Sequence, residues 1–268
     1  MRLAVNASPE AIALRDEGRL PADLLKLALQ SEWIEQAADG PVYVHFPFGI
    51  SPGGVVNFDH EETDWSWVFR LMDETETDHL NLHIKIRESD YPGLTGVEGV
   101  LRDCVQCISR LAEHVPVSQV VVENVVARSD DPAPVKEAAL GGFFTRLVAE
   151  TGCGMLLDTA HLRITCLESG LEFRDEVLKF PLHSLREWHI CGVGTRLGGD
   201  LLLDSMPMSE EDWQATAFVV AAIREGHAAR PSIVALEYGG FGDKFSWRSD
   251  RQEILSECQA IRQMLSLV

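Results

Sequence analysis

The chain has 268 residues, 46% of them hydrophobic, which suits one large folded domain with a sizeable core rather than a disordered segment. Lys and Arg number 23 against 42 Asp and Glu, a formal charge of −19; such a surface repels phosphate backbones and anionic lipid, so nucleic-acid and membrane-surface partners are disfavoured. No apolar run approaches the ~20 residues of a membrane helix, and the opening MRLAVNASPE lacks the apolar stretch of a secretory signal, so a cytoplasmic protein with its six cysteines as free thiols is expected.

In chain order, short β-rich runs alternate with longer amphipathic stretches. A strand is predicted at Leu3–Asn6. A helix is predicted at Pro21–Ala37 from the spacing of Leu24, Leu25, Leu27, Leu29 and Ile34, and a strand at Val42–Phe46. The glycine-rich His45–Gly54 reads as a loop over the strand ends; it lacks the GxxxxGK[ST] pattern of a phosphate cradle. Next come helix Asp64–Glu74, strand Leu80–Ile86, helix Val97–His114, strand Gln119–Asn124, helix Val135–Glu150, strand Gly154–Asp158 and strand Arg186–Cys191. The run Asp200–Asp204 is a candidate eighth strand. Helix Ser209–Glu225 opens with Ser-Glu-Glu-Asp, a good N-cap with a negative first turn, and stops at Gly226. Strand Ser232–Tyr238 and helix Asp250–Leu267 close the series. Nearly continuous apolar strands fit parallel strands covered on both faces. Their alternation with helices over ~250 residues, with no linker or repeat, predicts a single-domain α/β protein, a (β/α)8 TIM-type barrel. It should be slightly irregular, because no helix separates Cys191 from Asp200.

In such a barrel the polar side chains at the C-terminal strand ends face the active-site mouth. Here those positions, with the D-T-A-H that follows the fifth strand, carry His45, His83, Glu123, Asp158, His161, His189, Asp204 and Glu237. Each alone has a bland reading, a satisfied core histidine or a buried ion-pair partner. Together they are costly to bury, and too few basic residues occupy matching strand ends to compensate. Divalent cations unify them: imidazole and carboxylate suit first-row ions, and five or more such ligands imply two or three of them. Ligand type alone does not choose among iron, zinc and manganese. His60, His114 and His227 read as solvated, His79 and His183 as ambiguous, and Trp65 and Trp67 as packing. Tyr238 and Trp247 are candidates to line the mouth. Cys104 and Cys107, though spaced CxxC, read as ordinary thiols in a helix.

The stretch G-C-G-M-L-L-D-T-A-H-L-R-I-T-C-L-E-S-G, Gly152 to Gly170, resembles the multinuclear non-heme iron-dependent oxidative enzymes (MNIO). That family is related to the xylose isomerase and endonuclease IV barrels. Further segments follow in family order: V-H-F-P-F-G-I-S-P-G from Val44, L-N-L-H-I from Leu80, V-V-V-E-N-V from Val120, L-R-E-W-H-I-C-G from Leu185, L-L-L-D from Leu201 with Trp213 after it, and A-L-E-Y from Ala235. The resemblance implies two or three irons, with zinc or manganese as substitutes. It implies dioxygen-dependent oxidation, commonly of a cysteine in a ribosomally made (RiPP) precursor peptide, which a separate recognition protein often presents. It matches His45, His83, Glu123, Asp158, His189, Asp204 and Glu237 to ligand positions, with Glu123, Asp158 and His189 at the catalytic centre. Two departures stand out. His161 occupies the place of a usual Asn, giving the D-x-x-H of endonuclease IV-like and sugar-isomerase barrels. Met206 replaces a His; thioether is a poor partner for hard iron, so one ion is expected to be weak or lost. A divalent-metal-dependent sugar isomerase, epimerase or endonuclease IV-like enzyme is therefore the alternative, with fold alone unable to decide.

Overall fold

The computed structural model describes residues 1–28, 34, 39–51, 54–57, 63–86, 91, 93, 96–196, 199–243 and 245–268. The elements are β1 (Arg2–Asn6), α1 (Pro9–Asp16), β2 (Leu24–Ala28), β3 (Val42–His45), β4 (Phe48–Ser51), β5 (Gly54–Asn57), α2 (Trp65–Glu74), β6 (Leu80–His83), α3 (Glu98–Leu111) and β7 (Val120–Glu123). They continue with α4 (Ala133–Ala138), α5 (Gly141–Thr151), β8 (Gly154–Asp158), α6 (Thr159–Ser169), α7 (Phe173–Val177), β9 (Leu185–Ile190), β10 (Gly192–Thr195), β11 (Leu202–Met206), α8 (Glu210–Arg224), β12 (Ile233–Leu236) and α9 (Arg251–Leu265).

Eight parallel strands run side by side in the order β3-β2-β1-β12-β9-β8-β7-β6, and the antiparallel hairpin β4-β5 extends the β6 edge. The two ends of this row meet. Between β3 and β6 side chains replace the ladder: Val44 N donates to Thr77 Oγ1 at 2.7 Å, and Phe46 N to Asn81 Oδ1 at 2.7 Å. The result is a TIM-type barrel with one seam stitched by side chains.

Period-two alternation divides the strands between two cores. Leu3 and Val5, Leu25 and Leu27, Val42 and Val44, Leu80 and Leu82, Val120 and Val122, Met155 and Leu157, Trp188 and Ile190, and Val234 and Leu236 belong to the large outer core under the helices. Ala4, Leu24, Tyr43, Ile233 and Ala235 form a separate small cluster inside the barrel. The next inward positions towards the C-terminal strand ends are polar, and these build the site. Helix starts follow local chemistry. Ser8 caps α1 with Pro9 at its first position, Ser209 and Asp212 form a capping box on α8, and Asp250 caps α9.

Four expectations are corrected. The helix predicted at Pro21–Ala37 contains β2 instead; residues 29–33 and 35–38 lie outside the described residues. Four of the five β2 residues are buried, and they pair in parallel with β1 (Val5↔Leu25) and β3 (Leu27↔Val44). A short, fully buried leucine run satisfies either period, and only the neighbouring strands select the extended form. The run ending at Asp204 is not a barrel strand: β11 pairs antiparallel with β10 in a two-stranded ribbon after β9. The His45–Gly54 segment is no simple loop, since it contains β4 and opens into β5; Pro52 and Gly53 are outside the described residues. The helix predicted at Val135–Glu150 is two, α4 and α5.

Candidate metal centre

The site is built around Glu123, at the end of β7 and 1% exposed. Its Oε2 lies 3.3 Å from His45 Nε2 and 3.1 Å from His83 Nε2. Its Oε1 faces His189 Nδ1 at 3.6 Å and His161 Nδ1 at 3.9 Å. The two imidazoles on one side are 3.3 Å apart between their Nε2 atoms, and His83 Nδ1 is held by the carbonyl of Phe48 at 2.8 Å. One carboxylate therefore spans two sets of nitrogen donors.

Asp158 ends β8 and also caps α6. Its Oδ1 accepts from His161 N at 2.7 Å, and that turn brings the His161 ring back over the strand end. Its Oδ2 is left facing His161 Nδ1 at 3.5 Å and His189 Nδ1 at 3.8 Å. His161 Nε2 meets Asp204 Oδ2 at 3.0 Å. Asp204 thus reaches the site from the β10-β11 ribbon, steadied by Arg248, whose Nη1 donates to the Asp204 carbonyl at 2.8 Å. Glu237, just past β12, lies 3.1 Å from His189 Nδ1 and is ion-paired with Lys26. All eight sequence-predicted residues converge.

Protonation follows burial and charge. Burial, aided by the Lys26 ammonium, pushes His45 down to about 3, so its ring is neutral and free to donate a lone pair. Burial works against the Glu123 carboxylate, but His83 and His45 outweigh it and hold the group well below the usual range. Burial raises Asp158. Burial lowers His161, but Asp158 and then Asp204 overcome it and hold the ring up at about 10. Cations in place of those protons would serve the same carboxylates.

The donor set fits metal ions. Four combinations bring three ligand atoms within 4.8 Å of one another: His45, His83 and Glu123; Glu123, Asp158 and His161; Asp158, His189 and Glu237; and His45, Glu187 and His189. Glu123 Oε2, Asp158 Oδ2 and His189 Nδ1 are buried and make no hydrogen bond. Orphaned donors and acceptors of this kind are expensive unless something else binds them.

Four supporting residues went unmarked in the sequence, and a fifth, His79, was ambiguous there. Tyr43, Asn81 and Glu187 each lie two positions before His45, His83 and His189, hence on the same strand face, a signal the alternation offered. Glu187 accepts from Tyr43 Oη at 2.8 Å, pairs with buried His79, and sits 2.7 Å from His189 Nε2. It thereby turns His189 Nδ1 towards the site. Asn81 Nδ2 lies 3.1 Å from His45 Nε2. Lys26 was hidden within the predicted helix, and His79 belongs to this second layer. Beside Lys26 and His45 a cavity of about 110 Å³ opens, lined also by Gly239, Gly240 and Phe245. A Cβ on Gly240 would come within 2.6 Å of the Phe245 ring.

Other candidates fall away. His227 is exposed and His60 lies outside the described residues. Tyr238 is buried, its hydroxyl accepting from Asp250 N at 3.1 Å, and Trp247 stacks under Arg248 and Arg196. Cys104 and Cys107 are buried free thiols, and burial pushes Cys107 up to about 12. Among the described residues no helix is long and apolar enough to cross a membrane.

A family profile described as "RiPP precursor modification enzyme MbnB/TglH/ChrH" matches residues 31–229. Among curated relatives, a UPF0276 protein of Bordetella pertussis is 31% identical over 84 residues, 30% of this chain and 29% of that protein. A UPF0276 protein of Chromobacterium violaceum is 24% identical over 171 residues, 62% of this chain and 59% of that protein. The match therefore spans under a third of the Bordetella protein's length. In structure the chain is similar to D-psicose 3-epimerase from Clostridium cellulolyticum H10, with TM-score 0.58 and 13% identity over 98% of this chain and 97% of that one. It is similar also to an IolI protein with a bound zinc atom, with TM-score 0.57 and 12% identity over 99% and 98% of the two chains. At such identity these likenesses establish the barrel and nothing about the reaction.

Proposed function

Because the chain belongs to the MbnB/TglH/ChrH family of RiPP precursor modification enzymes, the multinuclear iron family its motifs resemble, we propose that it is an iron-dependent oxidase. Its substrate would be a ribosomally made precursor peptide, its oxidant dioxygen and its target a cysteine of that peptide. The observation that carries this reading is the Glu123 carboxylate, whose Oε2 faces His45 and His83 while its Oε1 faces His161 and His189. Two sets of donors that share one carboxylate could so hold two ions.

His45, His83 and Glu123 would hold one ion, and Glu123, Asp158 and His161 the other, with Asp204 behind His161. When bound, ferrous iron would supply electrons to dioxygen and act as a Lewis acid towards a peptide thiol. The chain's own contribution is orientation and shelter. Glu187 holds His189 through Nε2 and so aims Nδ1 inward; Phe48 does the same for His83 through Nδ1. The neutral His45 needs no deprotonation before binding. The cavity beside it, lined by Gly239, Gly240 and Phe245, would take a side chain the size of cysteine.

The test is anaerobic loading with ferrous iron, followed by admission of oxygen with a cysteine-bearing precursor peptide. An oxidase consumes oxygen in proportion to peptide modified. The D-T-A-H segment favours one rival, a sugar isomerase, epimerase or endonuclease IV-like enzyme. Such an enzyme would turn over without oxygen and accept magnesium, manganese or zinc.

A further inference from the structure

Glu237 differs from the other carboxylates of the centre in already having a cation. Its Oε1, the oxygen 3.1 Å from His189 Nδ1, is ion-paired with the Lys26 ammonium. The Lys26 side chain is only 6% exposed. It comes from β2, which is separated from β12 by β1, so it reaches inside the barrel across one strand. Among the described residues it is the one lysine on the eight barrel strands. Its position is fixed from both sides, by pairing with Asn6 on β1 and Tyr43 on β3.

Asp158, His189 and Glu237 bring their ligand atoms as close together as the two groups assigned to ions above. A divalent ion there would compete with a buried ammonium for the same carboxylate oxygen. Two cations so near each other, away from bulk water, repel strongly. The ammonium is tethered to β2 and already paired with Glu237, so the free ion is the one displaced.

We propose that Lys26 is a resident cation of this centre, taking at Asp158, His189 and Glu237 the place of a metal ion and limiting the chain to two ions. This rests on the metal-centre reading above and deepens it, because it makes metal stoichiometry a property of one side chain.

The test counts metal. Wild type, Lys26→Met, Lys26→Arg, Glu237→Gln and the double variant Lys26→Met/Glu237→Gln are loaded anaerobically with ferrous iron, and in parallel with Mn²⁺, desalted and measured by elemental analysis. The expected counts are two ions per chain in wild type, two in Lys26→Arg, and three in Lys26→Met, with the third lost again in Lys26→Met/Glu237→Gln. Glu237→Gln alone keeps two, since its carboxylate serves the ammonium; this variant carries the test if Lys26→Met does not fold. Three ions in wild type, an unchanged count in Lys26→Met, or an ion lost from Glu237→Gln overturns the proposal. Wild type that takes up no ion brings down the metal-centre reading and this proposal with it. Two ions in both wild type and Lys26→Met removes only the role of Lys26.

Discussion

Asn81 holds both main-chain groups of Phe46: its Oδ1 accepts from Phe46 N at 2.7 Å and its Nδ2 donates to Phe46 O at 2.8 Å. The amide side chain thus imitates a strand's backbone where β3 and β6 have no ladder between them. His45 and His83 sit on either side of this seam, so the stitch also sets their separation. Asn81→Ala leaves a buried N–H and C=O unsatisfied, at about 1–3 kcal/mol each. A lower urea midpoint and loss of the ion proposed at His45 and His83 are expected together. An unchanged midpoint would mean that Thr77 and the β4 contact close the barrel alone.

Asp158 does two jobs with two oxygens, and substitution separates them. Oδ1 caps α6 and Oδ2 faces the imidazoles. Asn is as good an N-cap as Asp, so Asp158→Asn should fold with stability within about 1 kcal/mol of wild type while losing bound metal. Asp158→Ala should lose the metal and a further ~1 kcal/mol with the cap. Full metal content in purified Asp158→Ala would eliminate this residue as a ligand.

The His79–Glu187 pair predicts a pH dependence. Burial lowers His79, but Glu187, then Asp78, outweigh it and raise the ring from 6.5 to about 9. Its stabilisation, at most about 3 kcal/mol, is complete below pH 6.5 and is lost as pH rises through about 9. Urea unfolding of metal-free wild type and His79→Gln, stepped between pH 6 and pH 10, should give curves that converge on the alkaline side. Parallel curves would assign the slope to other groups.

Gly192 opens the ribbon that delivers Asp204. A Cβ there would lie 2.0 Å from the carbonyl oxygen of Pro207, a backbone atom with nowhere to go. Gly192→Ala should therefore push β10 and β11 apart, cost about 1–3 kcal/mol or more, and weaken binding of the ion proposed at His161. Gly142→Ala, with nothing within 4 Å of the new methyl, is the control and should stay within about 1 kcal/mol of wild type. Equal melting temperatures for the two variants would contradict this account of the ribbon.

The chemistry of the site was legible because it is local. A donor at the end of a β-rich run points into the barrel mouth whatever the rest of the chain does, and His45, His83, Glu123, Asp158 and His189 all arose that way. Glu187 and Asn81 were legible too, by the same alternation, but look like ordinary strand polars until a ligand two residues away gives them a partner. Asp204 was picked out as the end of a candidate barrel strand, and that element was wrong. It reaches His161 from a ribbon instead of a barrel strand.

The sequence by itself determined which donors exist and that they lie at strand ends, since side-chain type and period-two alternation are properties of a few consecutive residues. Tertiary structure alone decided β2, the seam and the charge balance. Leu24–Ala28 becomes a strand because β1 and β3 offer it backbone partners on both sides. Lys26 then meets Glu237, 211 positions along the chain. A contact over that distance depends on closing the barrel, and no local pattern of residues encodes it.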